Sequence, residues 1–139
     1  MIHNISYRVF VHGTENEEKV LEALNTIFPY ASPERELTEG YYKNKVIIFH
    51  QKFSKKKEIK TFLKNLKKID SDCRNDIIDN LDKKMDDHGN LFLRFSKQDA
   101  FSHKWKVVEH GDSIHTRIKF AAYPAKKEGA LKLARELFD

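Results

Sequence analysis

Two hydrophobic periods follow one another along this chain, and they limit the folds that it can adopt. From Ile5 to Val11 apolar residues recur at every second position, which is the period of a strand with one buried face. After Gly13 the apolar residues of 20–28 recur at every third or fourth position, which is the period of an amphipathic helix. The chain therefore combines strands and helices that each bury one side.

The same periods extend through the rest of the chain and predict its elements. Thr14 and Glu17 have the spacing of a capping box before the first helix, and Ser54 precedes the second. The stretch 29–44 contains prolines and predicts a long loop. The remaining predicted strands are 46–53, 91–95, 105–108 and 114–120; the remaining helical segments are 54–69, 77–85, a single turn at 97–101 and a helix after Pro124.

The order β-α-β-α-α-β-β-β-α mixes the two element types without strict alternation, and it predicts an α+β fold. We expect one antiparallel or mixed sheet of about five strands, with helices packed on one face and the other face open. The sequence contains no repeat or linker that would divide 139 residues, so residues 1–139 are predicted to form a single domain.

Positive charge is concentrated in one part of the chain. Ten lysines and one acid, Glu58, lie between Lys43 and Lys68, although the whole protein has a net charge of only +5. Like charges repel, so folding alone does not explain this concentration, and a polyanion such as RNA or DNA is the usual partner of such a patch. The alternative is a solvated helix surface that is rich in lysine.

Within this segment Lys55, Lys56 and Lys57 follow Ser54 at the predicted start of a helix. Free backbone N–H groups and the helix dipole make that end positive, so lysines are unfavourable there and phosphate is favourable. We predict that the three lysines contact RNA, together with Lys52 and Lys60. Solvated lysines without a ligand are the alternative.

A second group of cations lies out of phase with the predicted core. Because Ile114, Thr116, Ile118 and Phe120 alternate toward the core, the residues between them point to the opposite face of the sheet. We predict an RNA surface there, on which cations contact phosphates and Phe10 or Phe92 stacks on a base. A covering helix or a second copy is the alternative. The candidates are His115, Arg117 and Lys119, with Arg8, His12, Arg94, Lys104 and Lys106 if their strands are neighbours.

The sequence carries no recognisable signature of an active site, a metal site or a cofactor site. The seven histidines lack the spacing of a helical metal motif, although His12 and His50 leave open a shared site. Cys73 lies among acids that disfavour a thiolate, and there is no glycine-rich phosphate loop. We expect a protein that is not an enzyme and has no metal or cofactor.

Bulk properties predict a cytoplasmic protein. The single cysteine fits a reducing compartment, because it excludes a disulfide within the chain. No apolar run approaches the roughly 20 residues of a membrane span, so no membrane partner is expected. The N-terminus also lacks the pattern of a signal peptide.

Three segments carry a resemblance to a known family. Leu91-Phe92-Leu93-Arg94-Phe95-Ser96-Lys97-Gln98-Asp99-Ala100 resembles the Leu-x-x-Arg-x-x-Lys-Gln-x-Ala element of a mainly archaeal family of predicted RNA-binding proteins, often labelled as exosome-associated. The segments 9–20 and 53–59 are similar to the family's first motif and its basic helix start, with Gly13 where Ala is usual.

The resemblance implies a fold similar to that of the ribosomal protein that binds 5S rRNA. Family labels also mention a double-stranded-RNA-binding fold, but the predicted element order is too rich in helices for its compact layout. The resemblance further implies that the family's recurring polar positions are His12, Arg94, Lys97 and Gln98, and that its basic stretch is Lys55 to Lys57.

Three functions are consistent with these observations. The first is a non-catalytic RNA-binding protein, associated with RNA processing or degradation, as in an exosome, or with ribosome assembly. The alternative is a protein–protein subunit or homodimer, in which the basic helix 54–68 of one copy meets the acidic helix 70–87 of another. The third is an enzyme acting on RNA, such as a nuclease, which would need a metal or a general acid–base pair.

Overall fold

The computed structural model describes residues 1–29, 31–40, 42 and 44–138, so Lys43, the first lysine of the basic segment, lies outside the described residues. Within those ranges no helix is long and apolar enough to cross a membrane. The elements in chain order are β1 (Ile2–Val11), α1 (Glu17–Ile27), β2 (Glu34–Glu39), β3 (Lys45–Phe53), α2 (Lys56–Leu66), α3 (Ser71–Asp79), α4 (Leu81–Lys84), β4 (Asn90–Ser96), α5 (Lys97–Phe101), β5 (Ser113–Phe120) and α6 (Lys127–Phe138).

The first strand of the chain lies at the centre of the sheet. β1 pairs with β3 on one side and with β5 on the other, and the full order is β2-β3-β1-β5-β4. Each neighbouring pair is antiparallel. The predicted α+β class and the sheet of about five strands are therefore confirmed.

The helices pack on one face of this sheet, as predicted. Ile5, Val9 and Ile118 alternate toward this inner face and are fully buried. An aromatic cluster joins the sheet to the helices: the Phe28 ring stacks at 4.4 Å on Tyr7 of β1 and at 5.2 Å on Phe62 of α2. The residues between the inward-facing ones form the outer face.

The predicted loop at 29–44 contains a strand that the sequence analysis missed. β2 pairs with β3 from Glu34↔His50 to Glu39↔Lys45. Because β2 is an edge strand with no fully buried residue, it lacks the hydrophobic alternation by which strands are recognised in a sequence. Its residues are instead mostly charged, as is common at sheet edges.

The predicted strand at 105–108 is wrong. This segment forms only an isolated bridge between Val107 and Phe95. Val107 is buried and Trp105 is partly buried although no strand forms, and the Trp105 ring packs against Phe95 and Phe62 at 5.2 and 5.7 Å. Burial of large side chains here gave the same sequence signal as a strand.

Both predicted helix caps are also wrong. α1 is capped by Asn16, whose side chain accepts hydrogen bonds from the backbone N–H groups of Glu18 and Lys19. For α2 the predicted cap was Ser54, but the helix begins at Lys56, so its N-cap is Lys55 and no side chain caps it. The helical stripe 77–85 is divided between α3 and α4, and Met85 forms a bridge with Leu91.

Candidate nucleic-acid interface

The outer face of the sheet brings three predicted site residues into one row. Arg8 of β1 is paired with His115 of β5, and His115 is paired with Arg94 of β4. Residues directly opposite each other on neighbouring antiparallel strands present their side chains on the same face, about 5 Å apart. Two guanidinium groups therefore flank one imidazole across three strands.

A second row lies two residues along the strands. Ser6 is paired with Lys52 on β3 and with Arg117 on β5, and Arg117 is paired with Phe92 on β4. The Phe92 ring is 47% exposed, whereas the core phenylalanines are nearly inaccessible. The Nε of Arg117 is buried and has no hydrogen-bond partner among the described residues. This row therefore combines cations with an accessible aromatic surface.

The remaining predicted residues of the face lie at its two ends. At one end Phe10 is covered by its neighbours: the Arg8 guanidinium carbon lies 5.4 Å from the ring centroid, and the His115 ring meets it edge-on at 6.3 Å. At the other end the Lys119 ammonium donates a hydrogen bond to the carbonyl of His88. Phe10 thus supports the cations more than it offers a free ring.

Charge is distributed unevenly over this outer face. Most of the cations lie on β1, β4 and β5, with Lys52 on β3, whereas the edge strand β2 carries carboxylates. His50 of β3, which pairs with Arg8, lies 3.5 Å from a carboxylate oxygen of Glu36 and 3.9 Å from one of Glu34. A polyanion is therefore attracted to the β1–β5–β4 half and repelled from the β2 edge.

The electrostatics of the first row also affect its histidine. Burial lowers the pKa of His115, and the guanidinium groups of Arg94 and Arg8 lower it further, while Asp112 opposes them. Each cation disfavours a second positive charge at the imidazole. The neutral imidazole is therefore favoured in the free protein near neutral pH.

The lysines of α2 lie on the other side of the molecule. Ile59, Phe62 and Leu66 are buried against the inner face of the sheet, so the exposed side of α2 points away from it. This helix therefore does not share a surface with the cations of β5. The predicted candidates at this place, all of them exposed, are Lys55, Lys56, Lys57 and Lys60.

Lys97 has surroundings that differ from those expected of a residue contacting RNA. Its side chain is 7% exposed, and its ammonium lies 3.0 Å from Glu15 Oε1 and 2.8 Å from Asp112 Oδ2. It also donates a 2.7 Å hydrogen bond to the carbonyl of Phe10. These bonds favour a structural role, in which Lys97 joins the end of β1 to the turn before β5. Its neighbour Gln98 is exposed on α5.

His12 borders the same charged cluster. It is exposed, and its Nε2 lies 3.6 Å from Asp112 Oδ1. Donor atoms of His12, Glu15 and Asp112 lie within 4.8 Å of one another, a geometry that could hold a metal ion. The Lys97 ammonium already supplies a positive charge between the two carboxylates.

The shared site of two histidines considered from the sequence does not form. His50 is paired with Arg8, whereas His12 lies four residues further along, just past the end of β1, which puts it about 13 Å from Arg8. Lys104 and Lys106 are exposed in the segment between α5 and β5 and not on a strand.

The surroundings of Cys73 disfavour a nucleophilic role. Burial is the main cause that raises the pKa of the Cys73 thiol, which makes it a poorer nucleophile.

His50 was considered from the sequence only for a site shared with His12, and was not among the candidates predicted for the RNA surface. His50 alternates with Lys52 along β3, so strand period alone puts both on one face. Its position beside Arg8 follows from the pairing of β1 with β3, which sequence period cannot reveal. His50 therefore extends the first row toward the β2 edge.

Comparison with known proteins identifies the family of this chain. A family model described as RNA binding matches residues 4–120, which includes β1 from Asn4 onward and all of the other four strands. The chain belongs to this RNA-binding family. It is also 39% identical over 141 residues to an RNA-binding protein of Pyrococcus abyssi, with 96% of this chain and 92% of the relative covered. The family membership implied by the sequence resemblance is thus confirmed.

Solved structures of family relatives share the fold. Mth689 of Methanothermobacter thermautotrophicus superposes with a TM-score of 0.89 at 42% identity, covering 100% of this chain and 99% of that one. AF2318 of Archaeoglobus fulgidus superposes with a TM-score of 0.88 at 31% identity, covering 99% of each chain. These relatives come from archaea, as the resemblance implied for the family.

Proposed function

We propose that this protein binds RNA without catalysing a reaction on it, and that the outer face of the sheet is the contact surface. The observation that carries this proposal is the juxtaposition of Arg8, His115 and Arg94 in one row with Arg117 and Phe92 in the next. Membership of an RNA-binding family and the name of the Pyrococcus abyssi relative support the choice of RNA.

The two rows supply different parts of the interaction. Guanidinium groups make charge-assisted hydrogen bonds to phosphate oxygens, which fix the RNA on the surface. The exposed Phe92 ring stacks on a base, an interaction that contributes about 1–3 kcal/mol in single-stranded complexes and tolerates any base. We therefore expect RNA with unpaired bases to bind more tightly than a fully paired helix.

The exposed lysines of α2 form a second, separate surface. Lys55 and Lys56 stand at a helix start that no side chain caps, so free N–H groups are available to a phosphate there. This surface lies across the sheet from the first one. The α2 surface therefore adds contacts for a long or folded RNA, and it is not part of the site on the outer face of the sheet.

The family resemblance extends the proposal to cellular context. We propose that the protein acts with RNA processing or degradation machinery, such as an exosome, or in ribosome assembly, and the resemblance to the family labelled exosome-associated and to the 5S-rRNA-binding ribosomal protein supports this. Binding of 5S rRNA in preference to an unrelated RNA of equal length would support the ribosomal context. Co-purification with exosome subunits from a native host would support the other.

Fluorescence anisotropy with single-stranded RNA at about 50 and about 200 mM salt tests the contact surface. If about four phosphates are contacted, the wild-type affinity falls about fifty-fold over that range, since each contact adds about 0.7 to the slope. The double variant Arg8→Gln/Arg117→Gln removes two contacts, so its affinity falls only about sevenfold over the same range and is weaker at low salt.

The matched control is Lys56→Gln/Lys60→Gln, which removes the same charge from α2. With a short single-stranded RNA that occupies only the sheet face, this control should keep the wild-type salt dependence. A reversed pattern would move the contact to α2, and no binding at low salt would refute RNA binding altogether. RNA recovered as shorter fragments would contradict the non-catalytic part of the proposal.

Self-association is a second candidate, favoured by the charges of neighbouring helices. Lys60 and Lys64 are exposed on α2, and Asp72, Asp76 and Asp79 are exposed on α3, so two copies can present complementary surfaces. Sedimentation velocity at low and high salt tests this pairing. A dimer that dissociates with salt would support it, whereas a monomer at every concentration would reject it.

A further inference from the structure

His115 occupies an unusual position on the outer face. It lies in register with Arg8 on β1 and with Arg94 on β4, so it is the middle member of a row in which both neighbours are permanently charged. A histidine that only covered the sheet surface would not require a positively charged side chain on each neighbouring strand. The row instead presents several nitrogen donors to one place.

The surroundings of the imidazole hold this arrangement together. Its ring meets the Phe10 ring edge-on at 6.3 Å, and the Arg8 guanidinium lies over the same ring at 5.4 Å. Arg8 and His115 are therefore both positioned by one aromatic side chain. The His115 side chain is partly buried, which limits its contact with water.

The charged groups facing His115 come from each neighbouring strand. β1 contributes Arg8 and β4 contributes Arg94, while its own strand contributes Arg117 two residues away on the same face. Asp112, in the turn before β5, is the acid that acts on it, and this carboxylate is bound to Lys97. Beyond β1, Lys52 and His50 lie on β3, with His50 close to Glu34 and Glu36 of β2.

We infer that Arg8, His115 and Arg94 form one binding site for an RNA phosphate, and that His115 takes up a proton when the phosphate binds. This inference rests on the proposed function and deepens it. Burial of the imidazole, and then repulsion from the two guanidinium groups beside it, lower the pKa of His115 and favour the neutral form in the free protein. A bound phosphate brings negative charge to the same place, so it favours the imidazolium form, which then donates a hydrogen bond to it.

Proton uptake on binding predicts the direction in which RNA affinity changes with pH. If the pKa of His115 is higher in the complex than in the free protein, affinity rises as the pH falls between the two values. A rise of about one unit corresponds to a tenfold change in affinity. Loss of the proton at higher pH leaves the site with its two arginines, so binding weakens but does not disappear.

The test uses an oligouridylate of about ten nucleotides, because the uracil base does not titrate between about pH 5.5 and 8. Wild-type affinity at constant ionic strength should be about tenfold tighter at the lower pH, and His115→Gln should abolish most of this difference. His50→Gln should retain it, which separates His115 from the other histidine of the row. His110→Gln, at an exposed position in the bend before β5 and outside the row, is the matched control.

A direct measurement is the NMR titration of the His115 ring in the wild-type protein, free and bound. A pKa that rises on binding supports the inference. RNA binding without any pH dependence, or with a dependence that persists in His115→Gln, would overturn the inference and leave the proposed function standing. No RNA binding at either pH would overturn both.

Discussion

The buried ammonium of Lys97 offers a strong test of how this fold is held together. The variant Lys97→Met keeps the length of the side chain but removes the charge that binds Glu15, Asp112 and the carbonyl of Phe10. Removing one partner of a buried ion pair costs about 3–5 kcal/mol, because the other charge loses its compensation. The side chains of Glu15 and Asp112 are 29% and 45% exposed, so water partly replaces the lost bonds. We therefore expect a loss of about 2–3 kcal/mol.

Urea unfolding followed by circular dichroism measures this loss, and thermal unfolding should show a Tm lower by about 6–12 °C for a chain of this size. Lys60→Met is the matched control, since Lys60 is exposed on α2 and its substitution should change stability by less than about 0.5 kcal/mol.

Neutralising the carboxylates shows whether charge is the cause. Adding Glu15→Gln and Asp112→Asn to Lys97→Met should recover part of the lost stability, because the uncompensated charges are then gone. A loss below about 1 kcal/mol for Lys97→Met, or no recovery in the triple variant, would refute the structural role argued for this lysine.

Two further predictions concern the turns that precede β4 and β5. Gly89→Ala should lower the Tm more than Gly111→Ala does. Both glycines have a positive φ, +84° and +93°, at which a non-glycine residue costs about 1–3 kcal/mol, but only at Gly89 would the new Cβ also lie 3.2 Å from the Cβ of Ala130. Equal Tm values for the two variants would contradict this prediction. Burial raises the pKa of Asp86, but hydrogen bonds from Asn90 and His88 outweigh it and lower the pKa overall, so this carboxylate stabilises the fold above the ordinary pKa of aspartate and less as the pH falls through its folded value. Urea unfolding at about pH 7 and about pH 3 should therefore show a smaller pH-dependent loss for Asp86→Asn than for wild type, with the exposed Asp87→Asn as control.

Sequence period was sufficient to predict which side chains share a face of each strand. Arg8, Arg94, His115 and Arg117 all alternate with core residues, and the structure puts all four on the outer face. Period could not predict which strands are neighbours, because the pairs that align these residues join distant parts of the chain. The two rows of the candidate site therefore depended on strand order, which only the structure supplies.

Other features escaped prediction because the signal was absent or shared with another environment. β2 has too little burial to show a strand period, and the segment around Trp105 has burial without strand pairing. Lys97 has the residue type of a surface contact, and its burial depends on Glu15, which lies 82 residues away. A sequence pattern reports local preference, whereas these features arise from contacts between remote segments.

The central position of β1 has a consequence for how the protein forms during synthesis. β1 is synthesised before the other strands, but one of its two neighbours is β5. The edge of β1 that carries Ile5 therefore stays unpaired until Ile118 has been synthesised. A ribosome adds about 5–20 residues per second, so β1 keeps an open hydrogen-bonding edge for several seconds while the intervening chain emerges. Such long-range pairing also slows folding. The nascent chain therefore carries its central strand with one edge unpaired, and chaperones would be needed most during this interval.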